Sequence, residues 1–247
     1  MKQVKVLAAV AALVLVVGVR SASASSILYF NDFAVGTDRM AQALADPAIT
    51  GSHTVTTAAT LAGFIAALSG GGYDLAIFFE QSDYGSQYDA AFTALATFIA
   101  GGGAAIATDW SLDNNHAYAF NAFFTGGVNE FPFSVTDPNL LAGVTTPVDL
   151  FNPGWGIFSM PLGTLPGGSC AASFANSTCA IVMGNGGRTY FNGFLSDTFV
   201  TGTDGVNLYI SEIQAALPAQ LVPEPGTLAL LGMGLLAAGY WRRKRNA

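Results

Sequence analysis

The chain is 247 residues long, 51% hydrophobic and 10% charged, with a net charge of −7. Its cations sit near the ends: apart from Lys2, Lys5, Arg20 and the run Arg242, Arg243, Lys244 and Arg245, only Arg39 and Arg188 face the fifteen carboxylates other than Glu224, a balance of about −13. Such a body repels phosphate backbones and anionic lipid, which excludes nucleic acid as a partner and favours divalent cations or basic molecules.

Lys2 and Lys5 precede an apolar stretch from Val6 to Val19, and Ala22-Ser23-Ala24 supplies the small residues behind which a signal peptidase cuts. Residues 1–24 are expected to be a secretory signal peptide cleaved between Ala24 and Ser25, with a retained anchor as the alternative. Residues 25–217 then form one exported domain, a common size for a single α/β or β-rich unit.

The first half of that domain alternates two periodicities. Ile27 to Asp32 reads as a short strand, and Thr37 to Ala45 as a helix with Met40 and Leu44 on one face. His53 to Thr57 is a second strand, followed by a helix from Leu61 to Leu68 that places Leu61, Phe64, Ile65 and Leu68 at helical spacing. Leu75 to Phe79 is apolar on both faces, as a central buried strand must be. Tyr88, Phe92, Leu95 and Ile99 then form the core stripe of a helix. Gly101-Gly102-Gly103 comes after that helix and before the strand Ala104 to Thr108, the reverse of a phosphate-cradling loop, so it serves as a helix stop and a turn. Four βα units with right-handed crossovers predict an α/β fold, a flavodoxin-like, doubly wound and mostly parallel sheet.

Beyond Phe123 the helical rhythm fades. Phe131 to Val135, Gly156 to Met160, Ala180 to Met183 and Arg188 to Phe191 read as short strands, and Gly184-Asn185-Gly186-Gly187 as a hairpin turn. The β-rich second half contains an insertion, Asn139 to Leu165, expected to cover one edge or mouth of the sheet. Cys170 and Cys179 are the chain's two cysteines, and in an oxidising periplasm so close a pair reads as a local disulfide. Val206, Tyr209, Ile210, Ile213 and Leu217 form a last amphipathic helix.

A linker, 218–226, carries Val222-Pro223-Glu224-Pro225 and leads to an apolar run at 227–241 and a basic tail at 242–247. This is a stop-transfer pattern: Arg242, Arg243, Lys244 and Arg245 stay in the cytoplasm and hold the preceding chain outside. Fifteen helical residues from Thr227 to Trp241 span roughly 22 Å of a hydrocarbon core about 30 Å thick. Gly232, Gly234 and Gly239 weaken the transmembrane helix by up to about 1 kcal/mol each, which suits a temporary hold better than a permanent anchor.

Pro-Glu-Pro, apolar run and basic cluster in this order resemble the PEP-CTERM sorting signal of Gram-negative, exopolysaccharide-producing bacteria, also known as the ice-binding protein C-terminal domain. The resemblance implies that an exosortase-type transpeptidase recognises the tail, cuts near Pro223 to Pro225 and passes the body to the cell surface or extracellular matrix. The precursor would then sit in the inner membrane with its body in the periplasm, and exopolysaccharide becomes a possible partner of the released body. The patch Thr54-Val55-Thr56-Thr57 is no ice-binding array, because such surfaces need many repeats and no internal period is present.

In the body, YDLAIFFEQ followed by LATFIAGGGAAIATDW resembles the class-I glutamine-amidotransferase-like superfamily, flavodoxin-like in fold. That family places a cysteine nucleophile in a sharp turn after a strand and pairs it with a later histidine. Here Asp109, Trp110 and Ser111 follow the strand and no histidine lies beyond His116, so the resemblance implies a relative without the family's catalytic residues.

Doubly wound sheets build their sites at the carboxyl ends of the strands, and those ends carry acids: Asp32, Glu80 and Asp109, with Asp83 and Asp113 close behind. Such a cluster offers oxygen ligands to Ca²⁺ or Mg²⁺ or, with one pKa raised by burial, acid/base catalysis; the alternative is that these acids cap the helices that follow. Ser111 with His116 as base is a further arrangement to test, although SLDNNH lacks the glycines of a nucleophile elbow. Two functions remain: a non-catalytic surface or matrix protein whose acidic body binds cations or glycans, and a secreted hydrolase or metal-dependent enzyme using Asp32, Glu80 and Asp109.

Overall fold

Ile27 and Tyr29 point to one face of strand β1 (Ser25–Asn31), Leu28 and Phe30 to the other, and all four are buried. A strand apolar on both faces belongs at the centre of a sheet covered on both sides. The computed structural model, which describes residues 24–82, 85–126, 132–151, 154 and 159–217, places it there. β1 pairs in parallel with β2 (His53–Thr57) on one side and β3 (Leu75–Glu80) on the other. β3 pairs in parallel with β4 (Ala104–Asp109), and β4 with β10 (Thr189–Asn192). The order β2-β1-β3-β4-β10 is that of flavodoxin-like folds, with its reversal between β1 and β3.

Helix α1 (Arg39–Ala45) and the short α2 (Pro47–Thr50) connect β1 to β2, α3 (Leu61–Gly70) connects β2 to β3, and α4 (Asp89–Ala100) connects β3 to β4. α6 (Gly202–Ala216) follows β10. Met40, Leu44, Leu208, Tyr209 and Ile213 bring α1 and α6 onto the face that carries Tyr29, Ile77, Phe79 and Ile106. Phe64, Leu68, Phe92, Leu95 and Ile99 bring α3 and α4 onto the face of Leu28, Phe30, Phe78 and Ala107. The starts of α1 and α3 are set by side chains, Asp38 accepting from the Ala41 amide and Thr60 from the Gly63 amide. α4 stops as its three glycines suggest: Gly102 adopts φ +98° and Gly103 N–H returns to the Phe98 carbonyl.

The second half departs from a mostly parallel sheet. β9 (Cys179–Gly184) joins β10 antiparallel through the predicted turn, in which Asn185, Gly186 and Gly187 all have positive φ. Beyond β9 the sheet forks into β8 (Ser169–Phe174), which pairs with β6 (Phe133–Val135), and β7 (Leu162–Thr164), which pairs with β5 (Ala122–Phe124), all antiparallel. The ten strands therefore make a mixed sheet, parallel through β10 and antiparallel beyond it. A hairpin's short turn forces antiparallel pairing, whereas a parallel neighbour needs a crossover.

The segment expected to cover one edge or mouth of the sheet divides: β7 joins the sheet beyond β9, while Leu140, Val148 and Leu150 build core with α6, whose Asp204 accepts the Thr145 amide at 2.9 Å. The predicted strand Gly156 to Met160 lies mostly outside the described residues; within them Ser159 makes an isolated bridge to Phe194. The expected disulfide Cys170–Cys179 is present, with Cα atoms 5.5 Å apart, and ties neighbouring strands β8 and β9. Among the described residues no helix is long and apolar enough to cross a membrane. The signal segment before Ala24, the sorting residues Val222 to Pro225, the apolar run and Arg242 to Arg245 lie outside the described residues.

Candidate functional site

Glu80 and Asp109 end adjacent parallel strands and face each other in register. Both side chains are wholly buried. From Asp109 the chain turns at once, through Leu112 at φ +59°, into the one-turn helix α5 (Asn114–Tyr118). The Asp109 carboxylate holds this turn: Oδ1 accepts from the Ser111 amide at 2.7 Å and the Ser111 hydroxyl at 2.5 Å, and Oδ2 accepts from the Asp113 amide at 3.1 Å. Asp113 caps α5 by accepting from the Asn115 amide at 2.8 Å. The returning helix then brings His116, 5% exposed, back onto the carboxylates.

His116 Nδ1 is 3.0 Å from Asp109 Oδ2 and 4.0 Å from Glu80 Oε2. Its Nε2 is 3.2 Å from Asp89 Oδ1 at the start of α4. Phe92, one turn along α4, stacks on the imidazole face. Burial alone would lower the His116 pKa, but the hydrogen bond and charge of Asp109, with Asp113 and Asp89, outweigh it and raise the value above the ordinary one. Among the described residues neither carboxylate oxygen of Glu80 has a hydrogen-bond partner of regular geometry, although Asp109 and Ser111 lie close by. Burial first, and then the Asp109 charge, push its pKa up to about 10. Potential ligand atoms of Glu80, Asp109 and His116 lie within 4.8 Å of one another.

Asp32 is not part of this group. Its Oδ1 accepts the amides of Phe33 at 2.7 Å and Gln81 at 2.8 Å, and its Oδ2 the Ser82 amide at 3.2 Å. A carboxylate so engaged braces the loops after β1 and β3 and caps neither following helix, whose N-cap residues are Asp38 and Tyr88. The crevice between β1 and β3, where flavodoxin-like folds take ligands, is laced by the chain's own side chains. Gln81 Nε2 donates to Asn31 at 2.8 Å while Gln81 Oε1 accepts the Ser196 amide. Asp38 accepts from the Tyr29 hydroxyl, from Asn31 Nδ2 at 2.7 Å and from the Ser196 hydroxyl at 3.1 Å.

Ser111 and His116 do not form a nucleophile–base pair: the hydroxyl donates to Asp109, and both imidazole nitrogens face carboxylates. The chain's two cysteines are joined in the disulfide, so the cysteine–histidine pair of the glutamine amidotransferases has no counterpart. The grouping of His116 with Glu80 and Asp109 was missed in the sequence, as was Asp89. Their only local signal is a histidine seven residues after a strand-end acid, with a capping Asp113 between them. Asp83 lies outside the described residues.

Residues 221–245 match the PEP-CTERM protein-sorting motif. No curated protein matches the chain. Among solved structures, a GMP synthase component from Thermoplasma acidophilum is similar with a TM-score of 0.54 at 12% identity, over 79% of this chain and 95% of that one. A β-galactosidase from the psychrophilic Marinomonas ef1 gives a TM-score of 0.43 at 11% identity, over 79% of this chain and 29% of that one. The exo-β-1,4-mannosidase Op5Man5 from Opitutaceae bacterium strain TAV5 gives 0.42 at 10% identity, over 78% and 34%. At 12% identity the first likeness concerns the fold alone.

Proposed function

We propose that this chain is the precursor of an exported protein whose acidic body is delivered to the cell surface or extracellular matrix and acts there without catalysis. The sorting motif at 221–245 carries the reading: it implies processing by exosortase, a transpeptidase. The stop-transfer run at 227–241 holds the precursor in the inner membrane until that cut, and the body, with its excess of carboxylates, then binds cations or glycans in an exopolysaccharide layer. The disulfide favours an oxidising compartment.

Two features support the non-catalytic reading over a hydrolase. Glu80 and Asp109 are 0% exposed and His116 5%, which leaves a substrate no access to the acid–histidine group. The β1/β3 crevice is bridged by the polar network around Asp38 and Gln81.

The test is an epitope-tagged chain in a host that has an exosortase, compared with the same host lacking that gene. A shortened body in the surface or matrix fraction, replaced by the longer tail-bearing form in the inner membrane when the gene is deleted, is the expected result. An unprocessed, reduced chain in the cytosol of both strains would overturn the reading.

A further inference from the structure

We propose that Glu80, Asp109 and His116 hold one buried divalent ion of the zinc or manganese class, with Asp89 as the outer carboxylate that orients the histidine. Glu80 has no exposed surface, both of its oxygens lack hydrogen-bond partners among the described residues, and Oε2 lies 4.0 Å from His116 Nδ1. A buried carboxylate without hydrogen bonds costs several kcal/mol if ionised; a cation between it and Asp109 removes that cost and engages both orphaned oxygens.

Every other donor is already aimed. The amide and hydroxyl of Ser111 occupy Asp109 Oδ1 and turn Oδ2 towards His116. Asp89 Oδ1, 3.2 Å from His116 Nε2, accepts an Nε2 proton and leaves Nδ1 as the ligand nitrogen. Metal-binding histidines are held in this way by a carboxylate on the opposite ring nitrogen. Phe92 fixes the ring plane. Around a tetrahedral zinc the ligand atoms sit about 3.3 Å apart; the 3.0 and 4.0 Å separations here bracket that spacing. One imidazole nitrogen among carboxylate oxygens suits zinc or manganese and is foreign to the all-oxygen shells of calcium and magnesium. The ion thus takes His116 in place of the Asp32 expected from the order of strands. With both Glu80 oxygens engaged beside one atom each from Asp109 and His116, the three residues fill four positions, and their enclosure matches a structural site rather than a catalytic one, which keeps an open position. On binding, the proton that Nδ1 shares with Asp109 and the proton of the Glu80 carboxyl both pass to solvent.

The experiment is calorimetric titration of the full chain, purified in detergent, stripped with EDTA and held in 0.15 M salt, with ZnCl₂, MnCl₂ and CaCl₂ in turn. One Zn²⁺ per chain is expected, with Mn²⁺ weaker and Ca²⁺ unable to displace either. Glu80→Gln and His116→Gln should weaken Zn²⁺ at least tenfold and Asp89→Asn about 10- to 100-fold, while Asp32→Asn leaves it unchanged. No stoichiometric Zn²⁺ binding overturns the proposal, as does binding that survives Glu80→Gln but is lost in Asp113→Asn, which would put the ion among the outer carboxylates. If both ligand variants fail to fold, the wild-type Co²⁺ form decides: intense visible bands of a four-coordinate N/O site support the assignment, and the pale spectrum of aqueous Co²⁺ overturns it.

Discussion

The imidazole of His116 lies flat on the ring of Phe92, centroids 3.9 Å apart and planes 8° from parallel. Phe92 also meets Phe78 edge-on at 5.1 Å, so one aromatic side chain couples the α4 face of the sheet to the only histidine of the site. Phe92→Ala removes both contacts and opens a cavity between the apolar sheet face at Phe78 and the His116 imidazole. Urea unfolding should register a loss of about 3–5 kcal/mol, the usual cost of truncating a buried phenylalanine. A loss below about 1 kcal/mol would mean that α4 closes over the gap and that His116 does not depend on the stack.

The disulfide joins two strands that already pair, so its contribution comes through the unfolded chain. Cys170 and Cys179 are nine residues apart, and closing a loop of that size stabilises by about 2–3 kcal/mol in the chain-entropy model. The double variant Cys170→Ser, Cys179→Ser should lower stability by that amount in chemical denaturation. Thiol titration of the unfolded wild type should find no free thiol before reduction and two after it. Two free thiols without reductant would contradict the bridge.

What was legible in the sequence follows from periodicity. The parallel strands and α1, α3, α4 and α6 announce themselves because β1, β3 and β4 are apolar on both faces and the helices carry regular stripes. β8 escaped because Ser169, Cys170 and Ser173 give it no alternation, and its place is set by long-range pairing with β9. The acids at the carboxyl ends were legible from topology, but which of them meet was not. Asp32 and Glu80 occupy equivalent strand ends, and the backbone amides of Phe33, Gln81 and Ser82, turned towards Asp32, separate their roles. His116 reaches the site through a five-residue helix too short to leave a periodic signal.

Glycines in the β9–β10 hairpin differ in what they protect. A Cβ at Gly184 would collide with the Phe120 carbonyl oxygen, a backbone atom held by neighbouring structure, whereas a Cβ at Gly186 meets nothing and is disfavoured only by φ +70°. Gly184→Ala should therefore cost about 3 kcal/mol, the upper end of overpacking losses, and Gly186→Ala about 1–2 kcal/mol through backbone strain. Gly186→Asn, which tolerates that φ, should be close to neutral. Equal losses at both positions, read from thermal or urea unfolding, would contradict the close approach at Gly184.

Glu212 of α6 is buried against the sheet, with Oε2 accepting from Asn192 Nδ2 at 3.1 Å and Oε1 without a partner among the described residues. Burial raises its pKa to about 8, and the Asn192 hydrogen bond opposes part of that rise. The hydroxyls of Tyr190 and Tyr209 are pushed upward in turn, by their own burial first and then by Glu212. In the unfolded chain the same carboxyl ionises near pH 4.3. Between that value and about 8 the folded state holds a proton that the unfolded state has lost, so stability falls as pH rises through this window and levels off above it. Glu212→Gln keeps a partner for Asn192 and cannot ionise. Its stability relative to wild type should therefore climb by about 1 kcal/mol per pH unit from pH 4.5 and flatten above pH 8, a gain of a few kcal/mol. Glu80 is common to both proteins and cancels in the difference. Urea denaturation at four or five pH values checks this, and parallel curves for the two proteins would show that Glu212 is already ionised in the fold.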